Sequence, residues 1–317
     1  MIKFSSVIYH YKKRNDNFFR IWGHDYGLFK KHIEFYKKRY TILSIQKILS
    51  NDFSPGKNIL ISFDDGLKEH HDFFANYLNS LKIKALFNIP SCILRGEPIN
   101  PQIIHFTTAY YGIRKFCQFV RFEIISNYNQ YSNLLPINDN KIKIEELYNI
   151  YKNFFRFGID YYKSREILMK IYHKYVLKRF PKFMEDVYMD KNDIIDLIKN
   201  GHYIGVHADT HFPIGIVSKN KNIMCKEIIE PKKKLESLVK MKLKVFSYPF
   251  GQSQDIVQDF NIWKDYGFKL VFTTFKKSTD RFNMLNIGRY SSQSNDSIKP
   301  KNLYLTHGNK VIIPNAY

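Results

Sequence analysis

Two short clusters in the sequence combine residue types that do hydrolytic or redox chemistry. Asp64 and Asp65 are adjacent and precede Gly66, while His207 and His211 are spaced four apart in His207-Ala208-Asp209-Thr210-His211. Adjacent carboxylates oppose each other's ionisation, and a bound cation relieves that conflict. Two imidazoles at this spacing converge on one metal from a helix face or from a tight loop. One aspartate with two histidines is a ligand set for zinc with an open coordination position, and also for non-haem iron. Water on such an ion becomes a usable nucleophile near neutral pH. The pair is not that of a metalloprotease helix, because Ala208 stands where that motif needs glutamate.

Both clusters follow apolar runs suited to buried strands. Residues 58–63 run into Asp64-Asp65-Gly66, and residues 203–206 run into His207. Further strands are expected at 7–10, 83–89, 245–247 and 268–273. Helices are expected at 26–40, where Phe29, Ile33, Tyr36 and Tyr40 recur at helical spacing, from Asp190 to a stop at Gly201, and around 256–266. Strand-then-helix units imply a parallel sheet, and in closed parallel barrels the chemistry sits at the C-terminal strand ends. His10, Asp64, Asp65 and His207 all fall there. The stretch 93–185 breaks the rhythm: it is helical in flavour, rich in Tyr, Lys and Asn, and shows no clear strand. It reads as an insertion within one domain spanning 1–317. Lys170, Lys174, Lys178 and Lys182 form a basic stripe on it, opposite Leu168, Ile171 and Tyr175.

The motifs together resemble a known family, the polysaccharide deacetylases of carbohydrate esterase family 4. Ile61-Ser62-Phe63-Asp64-Asp65-Gly66 resembles the family's Thr/Ser-Phe-Asp-Asp-Gly motif. The run from Gly201 and His202 through Gly205, His207 and His211 looks like its second motif, and Phe246-Ser247-Tyr248-Pro249-Phe250-Gly251 is similar to its third. Tyr9-His10 looks like the opening signature of members whose barrel is circularly permuted. The resemblance covers about residues 1–90 and 186–290 and leaves the middle stretch uncovered. It implies an α/β fold, a distorted (β/α)7-type barrel, carrying the helical insertion 93–185.

The resemblance also implies roles. Asp65, His207 and His211 would bind one divalent metal, usually zinc, with cobalt, nickel, manganese or iron as alternatives. Asp64 would be the general base that takes a proton from the attacking water, since a carboxylate already donating to a metal is a poor proton acceptor. A backbone N–H near Phe250 would help to hold the oxyanion. A histidine would protonate the departing amine: His10 as in permuted members, or His307 in Leu305-Thr306-His307 as in unpermuted ones. His10 is preferred, because it ends the stronger apolar strand. Two departures stand out. Ala208 replaces the usual Ser or Thr, and Ser247 replaces the arginine that orients the base, a charge Arg289 is a candidate to supply. Tyr248, Pro249, Arg289 and His307 are further candidates to line the substrate. His70 and His71 follow the acidic turn closely enough to approach the site, whereas His24, His32, His105, His173 and His202 read as ordinary core or surface histidines.

The totals bound the rest. A chain of 317 residues with 44% hydrophobic side chains fills one α/β barrel. Cys92, Cys117 and Cys225 are an odd, scattered set that reads as reduced. The net charge of +21 accompanies a general excess of Lys, Ile, Asn, Tyr and Phe, so it reads as a drift of the whole composition. No nucleic-acid motif is present, and no nucleic-acid partner is expected. Peripheral contact with an anionic membrane surface through the basic stripe is the minority expectation. Without a signal-peptide pattern or a run of about 18 apolar residues, the expected location is cytoplasmic, with membrane association as a variant. The expected substrate is then an N-acetylated glycan or surface-polysaccharide precursor, and the oligomeric state is open. Two rivals remain at this point: a non-haem iron oxygenase, which has no need of a second carboxylate like Asp64, and a silent glycan-binding protein, for which Ser247 argues.

Overall fold

In the computed structural model the apolar runs become strands of one sheet. It describes residues 3–136, 138–217, 220–251, 255–275, 279–280 and 284–292. The strands are β1 (Lys3–Tyr9), β2 (Thr41–Leu43), β3 (Asn58–Phe63), β4 (Leu86–Ile89), β5 (Tyr203–Val206), β6 (Val245–Ser247), β7 (Leu270–Phe272), β8 (Thr279–Asp280) and β9 (Tyr290–Ser291). Every residue of β3, β4 and β5 is buried, as expected for strands covered on both faces.

The order β7-β6-β5-β4-β3-β1 is parallel at each step. The stretch leading into β9 bonds to both ends of that series. Val271 N donates to Met284 O, Ile287 N to Val271 O and Thr273 N to Ile287 O, while Ser292 N donates to Ile8 O and β9 pairs with β1. The ring therefore closes through this stretch, giving the distorted α/β barrel expected from the sequence. Of the expected strands, 58–63, 203–206 and 245–247 match the observed bounds, while 83–89 and 268–273 are shorter at their ends. Strand β2 lacked a sequence signal because three residues carry too little pattern.

The helices are α1 (Tyr26–Arg39), α2 (Ile45–Leu49), α3 (Asn76–Ser80), α4 (Asn100–Tyr111), α5 (Ile113–Asn127), α6 (Ile144–Asn153), α7 (Tyr161–Ile171), α8 (Phe183–Val187), α9 (Lys191–Lys199), α10 (Lys221–Met224), α11 (Glu230–Val239) and α12 (Asn261–Asp265). Capping residues start several of them. Asp25 accepts from the amides of Gly27 and Leu28 ahead of α1, and Asp190 with Asp193 forms a reciprocal capping box on α9. The helix expected over 256–266 shrinks to α12, whose Trp263 is fully buried.

Helices α4 to α9 fill the connection between β4 and β5, and the described residues of that connection form no named strand. Within it α4 packs against α5 and α7, and α5 against α6 and α7. Lys170, Lys174, Lys178 and Lys182 are exposed on its outer face. No described helix is long and apolar enough to cross a membrane.

Candidate metal centre and active site

The C-terminal ends of β3 and β5 bring the two sequence clusters together. Asp65, His207 and His211 are fully buried, and one ligand atom from each lies within 4.8 Å of the others. His207 Nε2 is 3.4 Å and His211 Nε2 is 3.5 Å from Asp65 Oδ1. None of these three atoms has a hydrogen-bond partner. Buried polar atoms are normally satisfied, so three orphans facing one point are the signature of an absent shared partner. An acceptor oxygen and two imidazole nitrogens suit a borderline divalent cation, and the residues therefore fit the implied metal.

The loops that carry these ligands are strained. Asp65, Ala208 and His211 adopt positive φ of 79°, 59° and 66°, which costs a non-glycine residue of order 1–3 kcal/mol. Neighbours hold them there. Gln102 Nε2 donates to Asp65 Oδ2 at 2.7 Å, leaving Oδ1 for a cation. His207 Nδ1 lies 2.9 Å from Ser247 O; as a donor there it keeps Nε2 unprotonated and available. The Tyr161 hydroxyl reaches the carbonyls of Thr210 at 2.7 Å and His211 at 3.0 Å. Glu227 accepts from the Thr210 amide and hydroxyl, each at 3.0 Å.

Asp64 points at the same centre with a different environment. Arg289 forms a two-pronged ion pair with it, Nη1 to Oδ1 at 2.8 Å and Nη2 to Oδ2 at 2.9 Å, with both side chains buried. Arg289 lies between the two points where the closing stretch meets the barrel, which aims it inward. Asn88 Nδ2 donates to Asp64 Oδ1 at 2.7 Å, and Ser247 Oγ lies 3.4 Å from Oδ2. A Cβ on Gly205 would stand 2.0 Å from the Asn88 side-chain oxygen, so only glycine on β5 lets Asn88 reach Asp64. Burial pushes the Asp64 carboxyl up, but the charges of Arg289 and His207 outweigh it and hold it at about 2. Burial likewise raises Asp65, but the nearness of His207 and His211 outweighs it and brings the carboxyl well below the usual range. Both carboxylates are ionised at neutral pH.

His10 is buried at the end of β1. Burial lowers its imidazole below the ordinary value, against the pull of Asp65 and Asp64. His70 supports it from behind, its Nε2 2.6 Å from His10 O. His71 instead faces outward, with Asp72 and Asp196 at 2.9 and 3.1 Å. The Phe250 ring meets His211 edge-on at 4.6 Å and carries the Arg156 guanidinium at 4.0 Å.

Tyr248 is corrected from a substrate-lining candidate to a core residue. Its hydroxyl accepts from Val257 N at 3.0 Å and Trp263 Nε1 at 3.1 Å. Successive strand residues face opposite ways, and Ser247 already takes the face toward Asp64. Pro249 is buried beside it, and His307 lies outside the described residues. His105 is likewise more than an ordinary core histidine, since it lines a cavity next to the centre.

Sequence reasoning missed Asn88, Gln102, Tyr161 and Glu227. Asn88 had a signal, as a lone polar residue in an apolar strand. The other three had none, since each depends on helix packing that no short motif encodes.

No protein-family model matches the chain, and no curated protein matches it in sequence. Solved structures do match in fold. IcaB from Ammonifex degensii aligns with a TM-score of 0.57 at 14% identity, covering 96% of each chain. The Streptococcus pyogenes deacetylase PplD in complex with acetate aligns at 0.55 and 11% identity, covering 92% of each chain. A de-N-acetylase from Aggregatibacter actinomycetemcomitans aligns at 0.54 and 14% identity, covering 90% of this chain and 94% of that one. At these identities the likeness is one of fold, and it extends across the helical segment as well as the barrel.

Proposed function

We propose that this protein is a metal-dependent amide hydrolase that removes acetyl groups from N-acetylated sugars, of the deacetylase subgroup opening with Tyr9-His10. The observation that carries the reading is the trio of unpartnered ligand atoms beside an ionised, unligated carboxylate. Asp65, His207 and His211 would hold one divalent ion, zinc by donor type. When bound, that ion supplies Lewis acidity toward water and an acetamide carbonyl. Asp64, held ionised and oriented by Arg289 and Asn88, accepts the proton as water adds to the carbonyl carbon. The Phe250 backbone N–H stabilises the oxyanion. His10 donates a proton to the nitrogen as the C–N bond breaks, so acetate and a free amine leave.

Arg289 supports this reading over a silent binding protein, because it supplies the charge that Ser247 lacks. Asp64 supports it over an iron oxygenase, which has no use for a second, unligated carboxylate. The substrate fitting the reading is a surface-glycan precursor. The test is Asp64→Asn. Acetate release from N-acetylated oligosaccharides should fall by about 10²–10⁴-fold while bound metal is retained. Unchanged release in that variant would overturn the role of Asp64, and absence of release from the metal-loaded wild-type protein would overturn the hydrolase reading.

A further inference from the structure

A cavity opens between α4, α6 and α7 directly beside the metal centre. Asn100, Ile104, His105, Tyr148, Lys152 and Arg156 line it, together with Tyr161, Phe155 and Phe250. Three contacts tie it to the centre. Phe250 packs on His211, Tyr161 reaches the His211 carbonyl, and Gln102, two residues along α4 from Asn100, donates to Asp65.

The cavity surface is mostly apolar, and the polar residues around it are biased to one sign. Asn100 is 4% exposed, and its Oδ1 accepts from Arg165 Nη1 at 3.3 Å. That contact fixes the amide orientation and leaves Nδ2 buried without a partner. The Tyr148 hydroxyl, on a residue 1% exposed, is also buried without a partner. Lys152 and Arg156 bring two cations, with Arg156 held in place by Asp255. The first turn of α4, Asn100 and Pro101, lines the wall, where the helix dipole favours negative charge. Among the described residues, no carboxylate lines the cavity. Burial, with Arg156 adding to it, pushes the Lys152 ammonium down to about 8.

We propose that this cavity is a subsite for an anionic substituent of the sugar, a carboxylate or a phosphate, which Asn100 Nδ2, the Tyr148 hydroxyl, Lys152 and Arg156 would bind while the acetamido group sits at the metal centre. The proposal rests on the deacetylase reading and specifies its substrate class as an acidic N-acetylated sugar.

The experiment compares acetate release from N-acetylglucosamine, from N-acetylglucosamine phosphate and from N-acetylmuramic acid by the metal-loaded protein. At least one acidic sugar should be preferred over the neutral one by about tenfold or more in kcat/KM, as hydrogen bonds to a charged group allow. Which acid wins identifies the source of the charge. Lys152→Met and Asn100→Leu should raise KM for the acidic sugar about tenfold and leave the neutral sugar unchanged. Equal use of neutral and acidic sugars, or variants that impair both alike, overturns the subsite. If no sugar releases acetate the hydrolase reading fails separately, and binding of inorganic phosphate to the folded protein by calorimetry then tests the subsite alone. Binding weakened by Lys152→Met and Asn100→Leu supports it, and absence of binding overturns it.

Discussion

The barrel and the helical segment between β4 and β5 serve the same centre by different physical means. The barrel places Asp64, Asp65 and His207 by topology, because parallel strands end side by side and their first loop residues must face one another. The helical segment places nothing by topology. It reaches the centre through single side chains: Gln102 onto Asp65, Tyr161 onto the loop of His211, and Arg156 onto the ring that packs against His211. One region sets where the candidate ligands are, and the other braces them.

That division can be broken most severely at a strand-end ligand. His207→Gln should leave the fold intact and abolish metal retention, with acetate release lost alongside it; metal analysis of the purified variant reads this directly. The buried Asp64–Arg289 pair comes next. Arg289→Met strands a buried carboxylate and should cost about 3–5 kcal/mol in unfolding experiments. Much of that should return in the double variant with Asp64→Asn, because the two effects are not additive for residues in contact.

Smaller effects sharpen the contribution of the helical segment. Tyr161→Phe and Gln102→Leu should each weaken metal affinity by about 10–100-fold, as loss of outer-shell contacts does. Each should cost only about 1 kcal/mol of stability. If competition with a chelator finds wild-type affinity in both, the segment is mere cover. Lys174→Glu, on the segment's exposed outer face, should change stability by no more than about 0.5 kcal/mol and leave metal affinity unaltered.

The same division explains what was legible in the sequence. Strand β3 announces itself as six consecutive buried residues ending in two acids, so both strand and candidate ligand could be read together. The glycine of β5 was visible only as part of a motif, and its physical reason, room for Asn88, requires coordinates. Arg289 was legible as a charge without a position. Only the stretch closing the ring between β7 and β1 turns it toward Asp64. Gln102 and Tyr161 carried no signal, because their partners are set by helix packing across long sequence separations, where side-chain type alone constrains little. Tyr248 was misassigned from its motif neighbours, whereas strand alternation with Ser247 would have placed it in the core.

The most direct test of the whole account is a metal titration of the chelator-stripped protein, followed by acetate release from an N-acetylated oligosaccharide. The account predicts negligible release without metal, recovery that rises in proportion to bound ion, and saturation at one ion per chain. Release that persists in the stripped protein, or metal that binds equally well after His207 and His211 are replaced by glutamine, would contradict it.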